Sequence, residues 1–130
     1  MTEQDLSNQP IPDVYYTMEE IAMHKGNNEL PIWIGVNGKW LNHQQQFIGM
    51  QLGVIFQVSE DKRDMYKPGA GYNIFAGVDA TRALAKSSLN AEDLQPYGSL
   101  EGLGEKEMKT LKQWEDFYKK RYVIVGKIKH

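Results

Sequence analysis

The sequence predicts a single α+β domain with a small mixed sheet and short helices. Its 130 residues, 41% of them hydrophobic, are enough to build one hydrophobic core. Segments 32–36 and 122–125 are rich in β-branched and aromatic residues, which is typical of strands. Apolar residues recur every three or four positions over about 105–121, which indicates a longer helix with one apolar stripe.

The N-terminal part of the chain begins with a polar segment. We expect residues 1–13 to be a flexible leader, because they are polar and contain two prolines. Thr17-Met-Glu-Glu20 is a capping-box pattern, so a short helix should follow over about 18–24. Strand 32–36 comes next, and Asn37-Gly38 behind it is typical of a hairpin turn.

Two tyrosines bracket a glycine-rich turn in Tyr66-Lys-Pro-Gly-Ala-Gly-Tyr72. Glycines let a backbone approach a flat or large group closely, because no side chain stands in the way. A tyrosine at such a turn can offer its phenolic oxygen to a bound group. Downstream, Asp79 can cap a helix over about 79–87 with its carboxylate. A loop with two packing tyrosines before a capped helix explains the same residues, and the local pattern alone favours that interpretation.

Composition and charge exclude several classes of protein. A net charge of −2 argues against a nucleic-acid-binding domain, which usually carries a basic face. Without cysteine, the chain has no disulfide, no thiolate metal site and no cysteine nucleophile. No apolar run approaches the about 20 residues that cross a bilayer, and the polar, acidic N-terminus is unlike a signal peptide. We therefore expect a soluble, cytoplasmic chain.

The sequence carries no pattern typical of catalysis. It has no Ser/His/Asp set, no phosphate-binding loop, no paired carboxylates at a glycine-rich cleft and no His-Glu-x-x-His spacing. We therefore expect a binding protein without catalytic residues, although catalytic groups need not lie close together in a sequence.

The residues from Tyr66 to Ala85 resemble the signature of the membrane-associated progesterone receptor family, whose members are cytochrome b5-like haem/steroid-binding domains. The resemblance covers about residues 15–128. It implies a cytochrome b5-like fold over 14–130, with an open haem pocket on one side of the sheet. Segments on either side of this signature also resemble the family and occur in the same order as in its members. They are Tyr16-Thr-Met-Glu-Glu-Ile, Pro31-Ile-Trp-Ile-Gly-Val-Asn-Gly38, Leu111-Lys-Gln-Trp-Glu and Lys120-Arg-Tyr122-Val-Ile-Val-Gly126-Lys.

The resemblance also implies haem b held through a single tyrosine. Tyr72 falls on the family's haem-ligating tyrosine and is the candidate metal ligand, since an anionic phenolate suits ferric iron. Tyr122 falls on a tyrosine that hydrogen-bonds near that ligand, and Tyr66 falls on one at the mouth of the pocket. Arg121 replaces the family's usual lysine and could pair with a haem propionate. For Tyr66, Tyr122 and Arg121, simple packing is an equally open alternative.

Haem ligation by histidine is not expected. The His-Pro-Gly-Gly signature of true cytochrome b5 is absent, and His24, His43 and His130 match no motif. His43 is the one that could approach a pocket, because it lies in a segment without a family counterpart. We therefore do not expect a bis-histidine electron carrier. The other apolar residues at helix and strand positions are assigned to the core, and they are Trp33, Met108, Leu111 and Trp114.

Residues 40–53 are an insertion relative to the family, which passes almost directly from the preceding turn to its next strand. Val54-Ile-Phe-Gln-Val58 matches that strand best, but Trp40-Leu41-Asn42 is an alternative that would place the extra residues later. We expect the insertion to lie outside the core sheet, because insertions between strands usually form surface loops. Its apolar residues could instead cover the pocket or a partner surface.

The implied function is haem binding, for haem carriage or for regulation of partner haem proteins such as the haem-containing monooxygenases of sterol metabolism. The alternative is an interaction or small-lipid and steroid-binding module that uses the same pocket without haem. We expect the chain to act in the cytoplasm or at the periphery of endomembranes.

Overall fold

A mixed sheet forms the centre of the molecule. The structure is a computed structural model that describes residues 6, 8–36 and 53–129. Within these residues the strands are β1 (Tyr15–Thr17), β2 (Trp33–Val36), β3 (Val54–Gln57) and β4 (Val123–Lys129). Their order in the sheet is β1-β4-β3-β2. β1 pairs with β4 in parallel, whereas the β4–β3 and β3–β2 pairs are antiparallel.

Helices surround this sheet and complete the predicted α+β fold. The helical prediction for 105–121 is confirmed, and so is the capping box, because the Thr17 hydroxyl accepts the Glu20 N–H at 3.1 Å. The charged segment after β3 is a 3₁₀ helix. The α-helices are α1 (Met18–Ala22), α2 (Thr81–Ala85) and α3 (Glu105–Arg121), and 3₁₀ helices cover Glu60–Met65, Asn73–Phe75 and Ala91–Leu94. In the part of the chain that the structure describes, no helix is both long and apolar enough to cross a membrane.

The strand predicted at 54–58 is confirmed as β3. Its Val54 lies opposite Val36, and its Phe56 lies opposite Ile34. The alternative strand at 40–42 and the predicted hairpin turn at Asn37-Gly38 lie outside the described residues. The predicted surface excursion lies outside them as well, except for Gly53, which is buried.

The sheet separates two hydrophobic clusters. Ile55 and Phe56 point to opposite faces, because side chains alternate along a strand. The pairing of β3 with β4 shifts here, since Ile55 lies opposite Gly126 but Phe56 lies opposite Ile124. Ile124 and Ile128 are four residues apart, so in a regular strand both side chains would lie on the same face of the sheet. The irregularity instead places them on opposite faces. We call the larger cluster the main core and the smaller one the Trp33 core, which consists of Ile21, Trp33, Ile55 and Ile128.

Strand β1 was not predicted, and β4 extends four residues beyond the predicted end at 125. The two strands approach closely at Gly126, where an added Cβ would lie 2.8 Å from the Val14 carbonyl oxygen and 2.8 Å from the Tyr16 ring. Any other residue at this position would therefore push β1 away from the sheet. The close pass explains why glycine occupies the middle of a strand.

Part of the segment predicted as a flexible leader is attached to the sheet through Gln9. Its side-chain amide donates to the Tyr122 carbonyl at 2.7 Å and accepts the Ile124 N–H at 2.7 Å. The Leu6 N–H also donates to the Lys120 carbonyl at 3.0 Å. The described part of the leader therefore covers the junction of α3 and β4, while residues 1–5 and 7 lie outside the described residues.

Asp79 does not occupy the predicted cap position, because the N-cap of α2 is Ala80, and α2 is shorter than the predicted helix over 79–87. The Asp79 carboxylate accepts the Thr81 N–H at 3.1 Å and also accepts the Thr81 hydroxyl. Asp79 is fully buried, and its backbone bridges Gly35 at the edge of β2. The hydrogen bonds to Thr81 and the bridge to Gly35 therefore tie the start of α2 to the edge of the sheet.

Candidate functional site

A cavity of about 580 Å³ opens beside α3, on the side of the sheet that the main core occupies. Its volume lies in the range of about 300–1,000 Å³ that is common for small-molecule sites. We call it the tyrosine pocket, and its principal side chains are Tyr66, Tyr72, Trp114, Phe117, Arg121 and Tyr122. All four residues that the resemblance singled out therefore line one pocket. Their roles toward a ligand stay predictions.

The glycine-rich turn places two of these tyrosines. The backbone closes on itself where the Tyr72 N–H donates to the Met65 carbonyl at 3.2 Å. Gly69 has a φ of 90°, a conformation that glycine adopts without strain. The turn brings the ring centroids of Tyr66 and Tyr72 to 5.6 Å. The bracketing tyrosines therefore form one wall of the pocket together.

Tyr72 is the half-buried member of this pair, and neighbouring rings orient it. It stacks on Phe75 with a centroid distance of 5.9 Å, and it meets Trp114 edge-on at 6.4 Å. Aromatic contacts of this geometry hold a ring in place without involving its hydroxyl. The phenolic oxygen of Tyr72 therefore belongs to a ring whose position is fixed by packing.

Tyr66 and Tyr122 lie deeper. Tyr66 was expected at the mouth of the pocket, but only 2% of it is exposed, so it belongs to the wall. Burial raises the pKa of Tyr66 well above its usual value, and the neighbouring Tyr118 adds to the shift, while a hydrogen bond from Tyr122 opposes it. Burial also raises the pKa of Tyr122, and donation of its proton to Tyr66 adds to that shift. Both hydroxyls are therefore neutral at physiological pH.

Helix α3 supplies the opposite wall. Trp114, Phe117 and Arg121 lie three or four residues apart and therefore share one face of the helix. Trp114 packs against the main core, as the sequence predicts, and this half-buried side chain also lines the pocket. The Arg121 guanidinium lies 4.1 Å from the Phe117 ring centroid, and Lys62 lines the pocket from the 3₁₀ helix Glu60–Met65. Two exposed cations therefore stand at the mouth of the pocket.

Sequence analysis did not single out Tyr118, which lies behind the wall. It is fully buried, and its ring stacks on Tyr122 with a centroid distance of 5.4 Å. Burial raises the pKa of Tyr118, and the nearby Tyr66 hydroxyl opposes that shift. The Tyr118 hydroxyl nevertheless forms no hydrogen bond with the described residues. The available signal was its position four residues after Trp114 on the apolar stripe of the predicted helix.

Histidine takes no part in the described pocket. His24 belongs to the other face of the sheet, where its ring stacks on Trp33 at 3.5 Å and its Nδ1 lies 2.7 Å from the Pro31 carbonyl oxygen. His43 and His130 lie outside the described residues. Among residues 6, 8–36 and 53–129, no group of three or more His, Asp or Glu side chains is arranged to hold a metal ion.

Comparison with known proteins identifies the family. No family model matches the chain. The chain is 37% identical over 114 residues to an Arabidopsis thaliana protein named "Probable steroid-binding protein 3". The match covers 87% of this chain and 96% of that protein. The chain belongs to the membrane-associated progesterone-binding and steroid-binding protein family. It is also 29% identical over 114 residues to membrane-associated progesterone receptor component 2 of Homo sapiens, of which the match spans 44%.

The fold of this family member is cytochrome b5-like. A solved structure of an Arabidopsis thaliana protein with a cytochrome b5-like fold matches it with a TM-score of 0.68 and 34% identity, over 95% of this chain and 97% of that one. The predicted fold class is therefore confirmed. The membrane-associated progesterone-binding protein 4 of Arabidopsis thaliana is 35% identical, and this chain spans 39% of its length.

Proposed function

We propose that this steroid-binding-family protein binds haem b in the tyrosine pocket and that Tyr72 is the ligand to its iron. The observation that carries the proposal is the position of Tyr72, whose fixed ring lines a pocket with aromatic walls and two cations at its mouth. A phenolate is a hard anionic donor that suits ferric iron. Within the described residues, an oxygen ligand of this kind fits the site better than a histidine.

The residues present fit the shape and charge of haem. Trp114 and Phe117 offer flat apolar surfaces to a macrocycle, and Phe75 fixes the Tyr72 ring from behind. Arg121 and Lys62 would pair with propionates, because charge-assisted hydrogen bonds to carboxylates are stronger than neutral ones. Once bound, haem would supply a ferric iron whose oxidised state an anionic oxygen ligand favours.

We propose haem carriage, or regulation of partner haem proteins such as haem-containing monooxygenases, in preference to catalysis. Support comes from the mouth of the pocket, where Met65 is 44% exposed and Phe117 is 40% exposed beside the two cations. Apolar side chains beside charges at an open site suit transfer of a ligand to another protein. We place this activity in the cytoplasm or at the periphery of endomembranes.

A second candidate is binding of a steroid or another small lipid without haem. The names of the relatives favour it, since they refer to steroid or progesterone binding. The pocket has the apolar walls and the volume for such a molecule.

An absorption titration separates the two candidates. Purified protein mixed with hemin should show a Soret band and the high-spin ferric charge-transfer features of a tyrosinate. Progesterone added beforehand should reduce hemin binding if both occupy the tyrosine pocket. Free-hemin spectra throughout the titration, together with saturable progesterone binding, would overturn haem binding and favour the second candidate.

A further inference from the structure

The side chains that line the tyrosine pocket change in chemical character along helix α3. Thr110 and Gln113 come first and are polar but uncharged, Trp114 and Phe117 follow, and Arg121 comes last. All five lie on one face of the helix, because they are three or four residues apart or a multiple of that spacing. With a rise of about 1.5 Å per residue, the line from Thr110 to Arg121 is about 16 Å long. The pocket is therefore elongated and has two different ends.

The end at Arg121 is cationic. Arg121 and Lys62 line the pocket, and no Asp or Glu is among the described residues that line it. Tyr66 follows the 3₁₀ helix that carries Lys62, and its ring meets the Tyr122 ring edge-on at 6.3 Å. Because Tyr122 directly follows Arg121, the two cations lie at the same end. An anionic group bound there would form charge-assisted hydrogen bonds with both of them.

The end at Thr110 is neutral and offers a hydrogen-bond donor. The Thr110 hydroxyl donates to the Lys106 carbonyl at 3.1 Å, so its proton is already used. Gln113 is exposed and lines the pocket, and its side-chain NH₂ group can donate to a ligand. A neutral acceptor such as a carbonyl oxygen is therefore the ligand group that suits this end.

The lining between the two ends is aromatic. Trp114 is half-buried, Phe117 is 40% exposed, and Tyr72 meets Trp114 edge-on at 6.4 Å. These rings offer flat apolar surface to a ligand of fused rings. A fully apolar lipid would use this middle part and neither end, whereas a rigid ring system with a polar group at each end matches the whole lining. A steroid skeleton with oxygen substituents at both ends has this form.

We propose that the small-lipid ligand of the tyrosine pocket is an anionic steroid, such as a steroid sulfate. Its charged group pairs with Arg121 and Lys62, and a carbonyl oxygen at its other end accepts a hydrogen bond from Gln113. This inference rests on the second candidate function, binding of a steroid without haem, and adds the charge and the orientation of the ligand. Haem propionates would use the same two cations, so the two ligands compete for the cationic end.

Equilibrium dialysis of the purified protein tests the charge by comparing dehydroepiandrosterone, which has a hydroxyl at one end and a carbonyl at the other, with its sulfate. The sulfate should bind about tenfold more tightly, as expected for hydrogen bonds to a charged group. Arg121→Gln should remove most of this preference, whereas Arg121→Lys keeps the charge and should retain it. Lys106→Gln is the control, because Lys106 is an exposed lysine of α3 outside the pocket lining, and it should bind both steroids as the parent does.

Gln113→Leu tests the orientation. It should weaken both steroids by the same factor, about threefold, because both carry the carbonyl. Equal affinity of the parent for the two steroids, or an Arg121→Gln variant that weakens both alike, would overturn the inference.

A hemin titration in parallel separates this inference from the haem proposal. Binding of the sulfate without binding of hemin would support the anionic steroid and overturn haem binding. Binding of hemin without binding of either steroid would overturn this inference and leave the haem proposal standing.

Discussion

The two faces of the sheet bury aromatic residues in different ways. In the Trp33 core, polar atoms have partners: the Trp33 Nε1 donates to Gln57 at 3.2 Å, and the stacked His24 contacts the Pro31 carbonyl oxygen. On the opposite face, tyrosines border an open pocket, and the Tyr118 hydroxyl is unsatisfied. A face that serves only stability satisfies its polar groups, whereas a face that binds a ligand can keep some of them available. Mutations on the two faces should therefore separate stability from binding.

The largest expected effect is on stability and comes from Trp33→Ala. Removal of this buried indole should lower the free energy of unfolding by about 3–5 kcal/mol, because it leaves a cavity and breaks the stack with His24. Urea denaturation measures the loss. Hemin affinity of the remaining folded protein should match the parent, and a large drop in affinity would show that the two faces are coupled.

The next effect is on binding and comes from Tyr72→Phe. The ring contacts with Phe75 and Trp114 do not use the hydroxyl, so the melting temperature should change little. Hemin affinity should fall at least a hundredfold, or about 2.7 kcal/mol, because the ligand oxygen is lost. Tyr97→Phe is the control and should bind as the parent does. Parent-like binding by Tyr72→Phe, with a loss in His43→Ala, would identify His43 as the ligand instead.

Alkaline pH should destabilise the protein through the buried tyrosines on the pocket face. The folded pKa values of Tyr66, Tyr118 and Tyr122 are raised by burial above the unfolded value of about 10. Their contribution to stability is therefore fully present below about pH 10 and is lost as the pH rises above it, by about 1.4 kcal/mol per tyrosine and pH unit. Urea denaturation between about pH 9 and 11 should show a shallower loss for Tyr118→Phe than for the parent. Equal slopes would mean that Tyr118 can ionise in the folded protein.

Elements that depend on local sequence were predicted, whereas features that depend on pairing between distant strands were not. The bounds of α3 and the strand at 54–57 follow from local periodicity and residue type, and the structure confirms them. β1 is only three residues long and depends on pairing with a strand more than 100 residues away, so no local pattern marks it. The shift between Ile55 and Phe56 depends on how β3 and β4 pair, and the sequence of either strand alone does not contain it.

The sequence predicts which tyrosines line the pocket, but it does not predict how deeply each side chain on this face is buried. The resemblance brought Tyr66, Tyr72 and Tyr122 to one site, and the structure places all three around the tyrosine pocket. Helical periodicity does not decide whether Phe117 or Tyr118 faces inward, because adjacent residues differ by only about 100° around a helix. Only tertiary packing decides that Tyr118 is buried and Phe117 exposed.

The smallest predicted effect is that of Tyr122→Phe, and it tests whether the supporting hydroxyls act in series. Tyr122 donates to Tyr66 and not directly to Tyr72, so its loss removes one supporting hydrogen bond and leaves the ligand oxygen in place. Hemin affinity should fall by about 0.5–1.5 kcal/mol, which is far less than for Tyr72→Phe. The same titration measures both variants. A loss as large as that of Tyr72→Phe would mean that Tyr122 contacts the ligand itself, and that the pocket rearranges when it is filled.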